Sequence, residues 1–98
     1  MTTTTRLDLS KQIKLFHLLT AEWWDENSKF VVVRGSTKRE SEDFALRLDL
    51  EKRAFLDHAS NPKTDQLVQS QVHLISQLVW NERLKLRNEN PPRGYTAH

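Results

Sequence analysis

From Val68 onward, apolar residues recur at helical spacing for longer than anywhere else in the chain: Val68, Val72, Ile75, Val79 and Leu86, flanked by Leu67, Leu74 and Leu78. A stripe of that period lays one helix face on a core. Its start is well marked. Ser60 or Asn61 can cap it, Pro62 sits where a missing N–H costs nothing, and Asp65 adds a favourable charge near that end. The pattern predicts a helix from 62 to about 87, roughly 40 Å long at 1.5 Å per residue. That is more than one small core needs, and it points to pairing with another chain.

A second stripe runs through Leu9, Ile13, Phe16, Leu19 and Trp23, widened by Leu15 and Leu18. Lys11, Lys14 and His17 fall on another face, and Asp8 or Ser10 can cap the start. The pattern stops at the turn-like cluster Asp25-Glu26-Asn27-Ser28, which predicts a helix at about 9–26.

Between these stripes two readings compete. Phe30-Val31-Val32-Val33 is the only apolar β-branched run, and it favours an extended backbone. Phe44, Leu46, Leu48 and Leu50 alternate with other residues at the strand period, which would pair 30–34 with 44–50 in a small β-hairpin. Yet Leu, Ala, Arg, Glu and Lys are strong helix formers, and Thr37 with Glu40 has the capping-box spacing. The helix reading, at about 38–59, is preferred. The expected fold is one all-α domain of three helices with a long C-terminal helix, the alternative being α+β with the 30–34/44–50 hairpin. Residues 1–7 and 88–98 read as flexible tails, the second broken by Pro91-Pro92.

The chain has 98 residues, 37% hydrophobic and 29% charged, with a net charge of +2 and no cysteine. Disulfides, thiolate metal sites and a cysteine nucleophile are therefore excluded. Gly35 and Gly94 are the only glycines, so no P-loop or dinucleotide fingerprint exists. No run is apolar enough to cross a bilayer, and a cytoplasmic protein is expected. His17, His58, His73 and His98 lack the spacing of a metal site, so neither metal nor cofactor is expected. Glu22 and Glu26 beside Trp23-Trp24 are the nearest approach to an acid–base pair, but solvated acids at a helix end are the simpler reading.

The expected function is a non-enzymatic protein–protein interaction module, an adaptor, regulator or assembly component that self-associates or completes its core on a partner. Its contact candidates are Trp24, Phe30, Val32, Leu46, Leu50 and Tyr95. Basic residues at both ends suggest the alternative of a small nucleic-acid-binding regulator of plasmid, phage or bacterial type, using Lys11, Lys14, Arg83, Lys85, Arg87 and Arg93. Neither a membrane nor a small-molecule substrate is inferred.

Overall fold

The computed structural model describes residues 4–25, 27–39 and 42–89. Five strands come first: β1 (Thr5–Asp8), β2 (Phe16–Trp23), β3 (Phe30–Thr37), β4 (Asp43–Asp49) and β5 (Ala54–Phe55). Two helices follow, α1 (Pro62–Ser70) and α2 (Val72–Glu89). The strands form one antiparallel sheet in the order β1-β2-β3-β4-β5, so each pairs only with its neighbours in sequence. The all-α expectation is overturned: this is a sheet-rich α+β fold, not a small helical protein.

The predicted helix at 9–26 is the turn that follows β1 and then β2. Leu9, Ile13, Phe16, Leu19 and Trp23 are nevertheless all buried. A single turn, closed by the Ile13 amide donating to the Leu9 carbonyl at 2.9 Å, puts Leu9 and Ile13 on one side. A β-bulge does the same for Phe16 and Leu19. Phe16 pairs with Thr37 and Leu18 with Ser36, which leaves His17 as an extra residue. In a regular strand Phe16 and Leu19 would face opposite ways; the bulge turns both into the core. Thr5, Arg6 and Leu7, read as part of a flexible tail, belong to β1.

The predicted helix at 38–59 is also corrected. Phe30 pairs with Asp49, Val33 with Leu46 and Gly35 with Phe44, so the competing β pairing is what the chain adopts, within a five-stranded sheet rather than a small hairpin. Burial decides it: Phe44, Leu46 and Leu48 go inside while Ala45 and Arg47 stay exposed. A helix would have put Leu46 and Leu50 on the face opposite Phe44 and Leu48, whereas the strand uses them all at once. The Asp49 carboxylate accepts the amides of Glu51 and Lys52 at 3.0 and 3.1 Å, closing the turn into β5.

The predicted helix at 62–87 is divided at Gln71. Its start follows the expectation, with the Asn61 side chain accepting the amides of Lys63 and Thr64 and Pro62 in the first turn. At the break, Ser70 Oγ donates to the Leu67 carbonyl and the Gln71 amide donates to Val68 three residues back. Such back-bonding tightens and bends a helix. The turn lets Val68 on α1 and Ile75 and Val79 on α2 pack together against Ala21, Trp23, Val31, Val33 and Leu48. With two shorter helices on its own sheet, the argument from an overlong helix to another chain lapses.

The other sheet face carries charge. Glu22 lies between Arg6 at 3.1 Å and Arg34 at 3.6 Å. Arg47 donates from its amide, Nε and Nη2 to Asp57, each at 2.9 Å, and holds that carboxyl down to about 2. Among the described residues no helix is long and apolar enough to cross a membrane.

Candidate functional site

At one end of the sheet the β2–β3 and β4–β5 connections lie side by side, tied by the Leu50 amide donating to the Lys29 carbonyl at 2.8 Å. The second half of α2 passes beside them. Between the three segments is a cleft of about 450 Å³. Asn27, Ser28 and Lys29 come from the first connection, Leu50, Glu51 and Arg53 from the second, and Trp80, Arg83, Leu84 and Arg87 from α2. Among the described residues of the lining, four cations thus face one carboxylate.

Each connection is shaped by its own side chains. Asp25 accepts the Asn27 amide on its carboxylate and the Ser28 amide on its carbonyl. Ser28 Oγ accepts the Phe30 amide and donates to the Phe30 carbonyl, fixing the entry to β3. After the Asp49 turn, Arg53 takes a left-handed backbone with φ 52°. That conformation costs a non-glycine residue about 1–2 kcal/mol. An arginine held there keeps a cation on the rim at a position where glycine would sit with less strain.

The four cations are not equivalent. Arg83 is 7% exposed and forms the floor. Its guanidinium carbon lies 5.1 Å from the buried Trp23 ring, and Nη1 donates to the Ser28 carbonyl. Arg83 therefore locks α2 to the β2–β3 connection. Lys29, Arg53 and Arg87 are exposed. Lys29 stands 5.2 Å over the Phe30 ring and 4.0 Å from Glu51, an exposed pairing that salt screens easily. Trp80 is 50% exposed, and Leu84, one turn on, is 44% exposed. Such a large aromatic surface left to solvent beside cations suits a contact made with a π face.

The sequence candidates scatter around this cleft. Arg83 and Arg87 line it. Lys85 is exposed on α2 outside the lining, and Lys11 and Lys14 are exposed in the β1–β2 connection. Of the six basic candidates, Arg83 and Arg87 alone are among the described lining residues. Trp24 and Phe30 are exposed, and Val32 is half-buried on the open sheet face. Leu46 and Leu50, at 2% and 7% exposure, are core; only Leu50 also reaches the cleft. Arg93, Tyr95 and Glu26 lie outside the described residues. Glu22, paired with Arg6 and Arg34, lies on the sheet face opposite the buried Trp23. Among the described residues no three metal-ligating side chains gather.

Lys29, Arg53 and Trp80 were not legible as site residues. Trp80 did carry a signal: it lies off the face defined by Val72, Ile75 and Val79, three residues before Arg83 and seven before Arg87. An aromatic on the outer face of an amphipathic helix, at helical spacing from arginines, is what a contact surface looks like. In comparisons with known proteins, the chain matches no family model, no curated relative and no solved structure.

Proposed function

We propose that this chain is a small non-enzymatic binding module, of the adaptor or regulator kind, that takes an anionic partner in the cleft. One observation carries the reading. Three separate segments bring Lys29, Arg53 and Arg87 to the rim of a cleft walled by a half-exposed tryptophan, and one of those cations occupies a strained backbone position. Strain retained at a surface turn is a pointer to use. Among the described residues the lining supplies cations, an aromatic face and a single carboxylate, and the Ser28 hydroxyl is already bonded to Phe30. These are the parts of a binding surface. A cytoplasmic setting goes with this reading.

The test is Arg53→Gly, which separates binding from folding. Glycine relieves the left-handed strain, so the variant should be as stable as the parent or more so by up to about 1 kcal/mol. Titrated with polyglutamate or tripolyphosphate, the isotope-labelled parent should shift its amide signals at Lys29, Arg53, Trp80 and Arg87, and lose those shifts in high salt. Arg53→Gly should weaken the response. Shifts gathered at Lys11 and Lys14, or none at the cleft, would remove the reading.

Self-association is a second reading, favoured by Leu15, Leu18, Trp24 and Phe30, all exposed and all outside the cleft lining. A dimer mass by light scattering that persists in high salt supports it, and a monomer at both salt levels sinks it.

A further inference from the structure

We infer that the occupant of this cleft is single-stranded nucleic acid, with one base stacked on Trp80 and the flanking phosphates held by Lys29, Arg53 and Arg87. The inference rests on the cleft being the binding site and adds the class of partner.

What the cleft offers selects the ligand. An acidic peptide is taken by clustered cations alone, whereas a nucleic acid also uses an aromatic face. Among the lining residues, the amides of Asn27, Ser28, Leu50 and Glu51 are bonded to Asp25, Lys29 and Asp49. The Ser28 carbonyl accepts from Arg83. The side chains of the lining offer charge on the rim and an aromatic face on the wall. Phosphates and bases need only those two things, and every base has a π face.

Arginine is suited to the rim because its fork matches phosphate oxygens two at a time. The floor suits the role as well. Arg83, stacked on Trp23, adds fixed positive charge beneath the cleft and is held by protein groups rather than by the ligand. A single strand is favoured over a duplex on geometry. Stacking on the half-exposed Trp80 needs a base that can leave its own stack, and a duplex keeps its bases stacked. A volume of about 450 Å³ takes one base and its phosphate.

The experiment uses the full chain and a short fluorescein-labelled oligothymidylate, read by anisotropy and by tryptophan quenching. The comparison ligands are the same oligonucleotide in a duplex, thymidine monophosphate and polyglutamate. The oligothymidylate should bind tightest. Its affinity should fall with salt at a log–log slope near about −2, the value for three neutralised phosphates. Arg87→Ala should lower that slope by about 0.7. Trp80→Ala should weaken binding by about tenfold or more while Trp24→Ala leaves it unchanged, and Trp80→Phe should recover part of the loss.

Three results would overturn the inference: a duplex or polyglutamate bound as tightly as the oligothymidylate, thymidine monophosphate bound equally well, or affinity indifferent to Trp80. If polyglutamate binds better and Arg53→Gly weakens it, the nucleic-acid inference falls and the binding-module reading stands. If no ligand responds to the cleft variants, both fall.

Discussion

Replacing Gly35 with alanine tests the account of the sheet at its most crowded point. At an ordinary strand position this exchange stabilises a protein by about 0.4–1 kcal/mol, because alanine restricts the unfolded chain. Here the sign should reverse. A Cβ on Gly35 would sit 2.2 Å from the Leu18 carbonyl oxygen, against a floor of 3.0 Å for real contacts, so the bulged strand must recede by 0.8 Å. The backbone of Leu18 cannot do that and keep its pairing with β3. A second contact, 3.1 Å to the Phe44 ring, blocks the opposite escape, because that ring packs edge-on against Phe16 at 6.0 Å.

Two ladder hydrogen bonds stretched out of range cost about 1 kcal/mol each, and the tightened core adds about 1 kcal/mol. After the unfolded-state gain, the net loss is about 2 kcal/mol. A chain of this size has about 5–15 kcal/mol in hand, so the variant should fold and be measurably weaker. Urea unfolding followed by far-UV circular dichroism should move its midpoint down by about 1 M, and the melting temperature should drop by about 8–16 °C. A Gly35→Ala protein as stable as the parent, or more so, would refute the bulge geometry on which the burial of Phe16 depends.

Two other perturbations probe the frame. The folded Asp57 carboxyl sits at about 2 against an ordinary 3.8, chiefly through the Arg47 side-chain and backbone hydrogen bonds. A depressed carboxylate contributes stability above its ordinary value and loses it as the pH falls from 3.8 toward about 2. Asp57→Asn should therefore be less stable at neutral pH and flatten that part of the acid-unfolding curve, and a curve parallel to the parent's would count against the pairing. Asn61→Ala removes the α1 cap and should cost about 1 kcal/mol, a drop of about 4–8 °C by calorimetry, while Asn61→Ser holds; equal losses in both would contradict a capping role.

Much of the core was legible in the sequence, although its backbone was not. Leu9, Ile13, Phe16, Leu19 and Trp23 were picked out as a buried set, and they are. Helical spacing was mimicked by one turn at Leu9–Ile13 and one bulge at His17, so the burial was right and the period misleading. Phe44 to Leu50 carried the opposite conflict. Its helix-forming residues argued one way and its alternation the other, and burial against α1 and α2 settled for alternation. The start of α1 was readable because a cap is local chemistry. The cleft was not, because Lys29, Arg53 and Trp80 meet only after three distant segments are brought together, and nothing in their spacing foretells that.

The order of the strands has a consequence for how the molecule comes together in time. Each hairpin of the meander closes a short stretch of chain, and such closures are fast, on the order of microseconds. The bond from Arg83 to Ser28 closes 55 residues at once. It must wait until the sheet exists and α2 has been laid across it, since long closures are slow to find and only then rewarded. The cleft is therefore a product of the last step of assembly. A ligand that bridges α2 and the two strand connections would act as a latch on that step, slowing the departure of α2 more than it speeds the zipping of the sheet.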